Sequence, residues 1–295
     1  MFYDHIPAML LEVSQYLIKN TYGVYIDCTF GNGGHTFYLL SKFKNIKIIA
    51  IDFDEQSLYR FNILVNEKQF NDRVIFIRDN FKNIKQILSN LHIKKVDGIL
   101  ADIGLSSQQL NDLSRGFSFK SHVLDMRMDN RLQITAKKII NSTNANDLAN
   151  IFYSYGEEYK SRQIANAICI YRKRKIINSA NELQRIICNS KKHINGIKIH
   201  PATKVFQALR IVVNNELYNL QNLLSIAPEI LIRTGRLVII SFHSLEDRIV
   251  KLNFKNNISK GIYKRITKKV IKVSKEELNN NFRVRSARMR VAEKQ

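Results

Sequence analysis

The first hundred residues alternate between short apolar runs and longer amphipathic stretches. Val24–Cys28 and Lys47–Ile51 are runs of strand length, and Arg73–Ile77 and Asp97–Ile103 repeat the pattern. Between them, His35–Phe43 and Glu55–Asn66 place apolar side chains at helical spacing. This β-α-β-α-β order implies parallel strands with crossover helices, because parallel neighbours need a connection of about a dozen residues or more. Further along, Gly235–Phe242 predicts a fifth buried strand, followed by a helix from Leu245 and β-like stretches at 263–273 and 284–292.

About 130 residues separate the fourth and fifth predicted strands, far more than one crossover requires. Ala145–Tyr155, Tyr159–Arg174 and Ala180–Cys188 have helical spacing, and so does Val205–Ala227. Only the last of these should be needed by the sheet. The expectation is therefore a discontinuous α/β domain over 1–109 and 204–295, carrying a helical insertion over 110–203.

Composition narrows the class. A hydrophobic content of 45% with 24% charged residues excludes a wholly disordered chain. No apolar run approaches the roughly 18 residues of a membrane span, so no membrane partner is expected. Asp4 sits early, and no basic segment precedes a long apolar one, so a cleaved secretory signal is not expected. Cys28, Cys169 and Cys188 are too scattered for a disulfide framework, which fits a reducing cytoplasm. No His, Cys or carboxylate set has metal spacing, and no metal is expected.

Charge changes the picture more. The chain carries 47 Lys and Arg against 25 Asp and Glu, a net +22. Residues 1–114 are neutral overall, whereas 115–203 carry +10 and 251–295 carry +11. A uniform compositional drift toward lysine would not spare the first 114 residues. Two basic segments on a neutral body point to a polyanion, most often nucleic acid.

The candidate chemistry lies at strand ends. Asp27-Cys-Thr-Phe-Gly-Asn-Gly-Gly-His35 is a glycine-rich strand-to-helix turn, and Asp52 follows Gly31 by 21 residues. Glycines let backbone approach a ligand, and an acid at the next strand end accepts hydrogen bonds from a ribose diol. A plain tight turn would also use these glycines. Thr36 occupies the third glycine position of a dinucleotide fingerprint, so a cofactor with a ribose and no phosphate, S-adenosylmethionine, suits the turn better than NAD. Leu100-Ala-Asp-Ile-Gly-Leu-Ser-Ser107 places Asp102, Ser106 and Ser107 where the first and fourth strands diverge. His243 and Glu246 lie at the mouth of the fifth strand, where Ser244 and Asp247 have the spacing of a helix N-cap.

These motifs, taken together, resemble the RsmH (MraW) family. The resemblance rests on Thr29–His35, Asp97–Ser107, Arg115–Phe119, Leu124–Asp129, His200–Thr203, Phe206–Arg210 and Ser241–Arg248, with His5-Ile-Pro7 near the start. It implies a Rossmann-like class I methyltransferase sheet with an inserted helical domain. It further implies S-adenosylmethionine as cofactor and N4 of a cytidine in the decoding centre (P-site region) of 16S rRNA, in the small ribosomal subunit, as target. The cofactor contacts it implies are Gly33, Gly34, His35, Asp52, Phe81, Asp102 and Gln109, with Phe81 against the adenine. Gln108 and Phe282 stand where the family usually has proline.

For such a transfer the candidate catalytic residues are Asp102, Ser106, Ser107 and His243. The RNA-binding candidates are Arg172, Lys173, Arg174 and Lys175 in the insertion, with Arg283 and Arg285 in the tail. Two other classes fit the same body. One is a nicotinamide-dependent oxidoreductase, against which Thr36 and the basic segments count. The other is a ribosome-assembly factor that keeps the surface without the chemistry, against which Asp52 and Asp102 count.

Overall fold

The computed structural model describes residues 7–191 and 200–295; His5, Ile6 and residues 192–199 lie outside the described residues. In chain order the elements are α1 (Leu10–Leu17), β1 (Val24–Asp27), α2 (Gly34–Lys42), β2 (Lys47–Asp52), α3 (Glu55–Lys68), β3 (Val74–Arg78), α4 (Ile84–Asn90) and β4 (Val96–Asp102). Helices α5 (Ser107–Asn111), α6 (Ala136–Ser142), α7 (Ala145–Gly156), α8 (Ser161–Arg172), α9 (Ala180–Ser190) and α10 (Thr203–Asn214) follow. The chain continues with α11 (Glu216–Ile230), β5 (Leu231–Ser241), α12 (Ser244–Ser259), β6 (Tyr263–Arg265), β7 (Ile271–Lys272), α13 (Lys275–Asn280) and β8 (Arg288–Lys294).

The strands form one mixed sheet in the order β3-β2-β1-β4-β5-β8-β6, with β7 also paired to β8. The first five pair in parallel, with Ile26 opposite Ile49 and Ile99, and Asp102 opposite Ile240. β8 is antiparallel to both β5 and β6. Central parallel strands are covered on both faces, which is why they read as continuous apolar runs. Alternate residues divide between the two faces. Ile49, Ile51 and Ile99 pack with Ile84 and Leu88 of α4, Leu220 and Leu224 of α11, and Val250 of α12. Ile48, Ala50, Leu100 and Val238 pack on the other side with Val13 and Leu17 of α1 and Phe37 and Leu40 of α2.

The chain divides into two compact units, 1–104 with 217–295, and 105–216. The second is helical, with Phe152, Ile164, Ile168, Leu183, Val205 and Leu209 fully buried. Its limits differ from the expected 110 and 203, and α10 accounts for the larger difference. The single helix expected over 205–227 is two helices, because Asn215 takes a left-handed conformation (φ 52°) that ends α10. Asparagine tolerates that conformation better than most residues. Arg210 braces the break by a two-pronged ion pair to the buried Glu216, at 2.8 and 2.9 Å. Thus α10 belongs to the helical unit and α11 supports the sheet.

Two other expectations need correction. β5 begins at Leu231 rather than Gly235, directly after α11. The tail is only partly strand: 282–286 is a 3-10 turn, and 266–270 is irregular between β6 and β7.

Candidate functional site

Parallel pairing brings the carboxyl ends of β1, β2, β4 and β5 to one edge of the sheet. Beyond β1 the chain turns through 28–33 into α2, whose N-cap Gly33 has φ 76°. A Cβ on Gly33 would meet the rings of Phe30 and Phe37 at 2.7 Å, and one on Gly34 would strike Pro7. The loop therefore closes only with glycine at these two positions.

Asp52 ties this loop to the next strand. Its carboxylate accepts from Gly31 N–H at 2.7 Å and from Asp54 N–H at 2.9 Å. Loss of water around it raises its pKa to about 6, despite those two hydrogen bonds. It remains half-buried, and a carboxylate has spare lone pairs for further donors.

His35 is 5% exposed, with Nε2 2.9 Å from the Ala8 carbonyl oxygen and Nδ1 3.8 Å from Asp102 Oδ2. Burial lowers its pKa, so the ring is neutral and Nε2–H donates to Ala8. That tautomer leaves the Nδ1 lone pair toward Asp102. The side chain positions the loop and the neighbouring acid.

Asp102 ends β4. Its N–H donates to Thr29 Oγ1 at 2.7 Å, while its Oδ1 is buried without a hydrogen-bond partner among the described residues. Burial, and then the negative charges of Asp27, Glu246 and Glu277, raise its pKa well above the ordinary carboxylate range. A buried, unanswered carboxyl oxygen beside a glycine turn is the feature of this edge that the fold itself does not use.

Two residues of this edge have no role in the sequence expectation. Asp27 is buried, accepts from Thr36 Oγ1 at 2.7 Å and from Thr29 N–H at 3.1 Å, and its pKa is raised chiefly by burial. Thr29 joins Asp27 to Asp102. An acid closing a strand immediately before the glycine turn was the available signal.

The remaining candidates divide. Phe81 is 6% exposed and sits in the core with Ile51, Ile84 and Ile103. Ser106, Ser107 and Gln109 belong to the helical unit, where Ser106 and Gln109 form a capping box on α5. Ser106 Oγ accepts from Gln109 N–H at 3.1 Å, and Gln109 Oε1 accepts from Ser106 N–H at 3.0 Å. Gln108 lies within that helix and disturbs nothing in the box.

The expected cap of α12 is corrected: His243, not Ser244, is its N-cap. His243 Nδ1 accepts from Glu246 N–H at 3.4 Å, and Nε2 lies 3.0 Å from Glu246 Oε1. Glu246, fully buried, accepts in turn from the N–H groups of Phe242 and His243. Asp247, placed earlier as a capping partner, instead pairs with Arg290 at 2.7 Å and Arg288 at 3.2 Å, which holds its pKa down.

Among the basic candidates, Arg172 donates to the Ile140 carbonyl at 2.5 Å and Lys175 pairs with Glu182 at 3.4 Å. Lys173 and Arg174 are exposed, with no ion-pair partner among the described residues. Arg283 and Arg285 are exposed on the 3-10 turn, and Arg285 lies over the Phe282 ring at 4.6 Å.

The model of the MraW methylase family matches residues 2–295. A protein of Endomicrobium trichonymphae named ribosomal RNA small subunit methyltransferase H is 63% identical over 290 residues, covering 98% of each chain. A protein of the same name from Desulfotalea psychrophila is 43% identical over 293 residues, again covering 98% of each. Among solved structures, an rRNA methylase of Streptococcus thermophilus aligns over 97% of this chain and 93% of its own, at 10% identity and a TM-score of 0.45. With a family match spanning almost every residue and a relative at 63% identity over the same length, this chain belongs to the MraW methylase family.

Proposed function

We propose that the protein transfers a methyl group from S-adenosylmethionine to N4 of a cytidine in the decoding centre of small-subunit rRNA. Membership of a methylase family and relatives named for small-subunit rRNA methylation support the coarse reading. The observation that carries the chemistry is the buried, unpartnered Oδ1 of Asp102 at the edge formed by the glycine turn and Asp52. The residues present fit a nucleoside cofactor. Gly33 and Gly34 let the turn close tightly between β1 and α2, Asp52 retains acceptor capacity for ribose hydroxyls, and His35 holds the turn in place. Bound there, the cofactor supplies a methyl group already activated by its sulfonium.

The protein's own task is alignment and charge. The amino nitrogen of cytosine is a weak nucleophile because its lone pair is delocalised into the ring. Holding it in line at about 3–3.5 Å removes several kcal/mol of barrier. Asp102 then answers the positive charge that develops on N4. Burial raises its pKa, which disfavours the charged form, and a nearby cation favours its ionised form. No strong base is required, since the methylated amino group loses its proton to water. A paired target base would be turned out of its stack first. The helical unit 105–216 and the basic tail are assigned to holding that RNA, with Lys173, Arg174, Arg283 and Arg285 as its exposed cations.

Incubating small ribosomal subunits with methyl-labelled cofactor, followed by nucleoside mass analysis, tests the reading. The expected product is N4-methylcytidine. Label confined to a ring-carbon methylcytidine, or no label at all, would overturn it.

A further inference from the structure

A concavity opens just beyond the carboxyl end of β5, within the sheet-bearing unit. It encloses about 460 Å3, which lies in the range of a nucleotide-sized ligand site. Part of its lining is apolar: Phe242 just beyond β5, Val273 and Leu278. Another part is cationic: Lys272, Arg285 and Arg288, with no acidic side chain among the lining residues. Arg288 is answered by Asp247, but Lys272 and Arg285 are exposed and have no anionic partner among the described residues. His243 and Ser244, at the start of α12, complete the lining. Glu246 and Asp247 already offset the positive end of that helix, so the attraction for anions rests on the side chains.

The position matters as much as the lining. Asp102 pairs with Ile240 on β5, two residues before Phe242, and a Cβ on Gly104 would lie 3.4 Å from the Phe242 ring. α13 contributes Leu278 to the concavity, and its Glu277 contributes to the raised pKa of Asp102. A strand presenting a base at Asp102 therefore has its next residues within reach of this basic, half-apolar recess.

Resting on the RNA methyl transfer proposed above, we infer that this recess receives a nucleotide flanking the target, with its phosphate toward Lys272 and Arg285 and its base or sugar against Phe242. Single-stranded nucleic acid binds through this pairing of cations for the backbone and aromatic or apolar faces for the bases. An acidic peptide would use the cations and leave the apolar wall idle.

The test compares Lys272→Gln/Arg285→Gln with Lys251→Gln/Lys255→Gln, which removes the same charge from exposed positions farther along α12. The probe is a single-stranded oligoribonucleotide carrying the target sequence, bound to full-length protein across a salt series. Removing two phosphate contacts should flatten the slope of log affinity against log salt by about 1.4 and weaken binding about 10-fold or more. The control pair should change the slope far less, and cofactor affinity should hold in both. Equal slopes in the two double variants would overturn the inference. So would sodium polyglutamate displacing the RNA as effectively as unlabelled oligoribonucleotide. Methyl transfer by the unaltered protein to small subunits is read in parallel. If that fails while the pocket variants still bind RNA weakly, the functional reading falls and the recess stands.

Discussion

Asp52 already accepts two backbone N–H groups before any ligand arrives, and this shapes what its removal does. Asp52→Ala should lose a charged hydrogen bond to the ribose worth about 1.5–3 kcal/mol. Cofactor affinity should weaken about 10- to 150-fold by calorimetry, together with a lowered melting temperature from the freed Gly31 and Asp54 amides. Unchanged affinity in a folded variant would remove the assignment. The two acids also predict different pH signatures. Ribose hydroxyls favour ionised Asp52, so affinity for S-adenosylmethionine and for its neutral demethylated product should both rise through about pH 6. Asp102, whose pKa is raised by burial and then by neighbouring acids, responds to a cation. Affinity for the sulfonium form alone should therefore carry an additional rise with pH as Asp102 ionises. Parallel titrations of the two ligands that never diverge would place the positive charge away from Asp102. Asp52 and Asp102 were legible because each closes a strand within a local motif. The contact of His35 with Ala8 and Asp102 was not, because it joins three segments that no spacing rule connects.

At the level of elements, His243 and Ser106 show how a conspicuous polar residue can belong to a helix end. The capping box of α5 follows the Ser-x-x-Gln pattern that Ser106 and Gln109 carry in the sequence, so these two residues are engaged with each other. His243 is a less usual cap, and its pairing with Glu246 required the structure. His243→Asn keeps a capping acceptor and should leave methyl transfer within a few-fold of normal, whereas His243→Ala should cost about 0.5–2 kcal/mol of stability in denaturant titration. A large loss of kcat in the Asn variant at unchanged stability would restore a direct role for His243. In the insertion, Arg172 and Lys175 are committed to Ile140 and Glu182, which leaves Lys173 and Arg174 for RNA. Replacing only those two by Gln should flatten the salt dependence of RNA binding by about 1.4, as much as replacing all four. A much larger effect from the quadruple variant would mean that Arg172 and Lys175 also reach phosphate.

Across the whole molecule, the five parallel strands were legible because each is a short apolar run bounded by polar residues. The antiparallel placement of β8 between β5 and β6 was not, since nothing local in Arg288–Lys294 specifies its neighbours. The exchange of α10 from sheet to helical unit turned on one residue, Asn215, inside an otherwise continuous apolar periodicity. The +22 charge pointed to a polyanion, but several of its cations are occupied within the fold, including Arg127 with Asp125 and Arg210 with Glu216. The proposed chemistry rests on the Asp102 edge, whose unpartnered oxygen is proposed to answer a cation forming on N4. Single-turnover methyl transfer to small ribosomal subunits, comparing the unaltered protein with Asp102→Asn at saturating cofactor, tests that assignment. The transfer rate at saturating cofactor should fall at least about 10-fold, with N4-methylcytidine still the only labelled nucleoside and affinity for the neutral demethylated product retained. Transfer at the unaltered rate would contradict the assignment and reduce Asp102 to a residue of the turn.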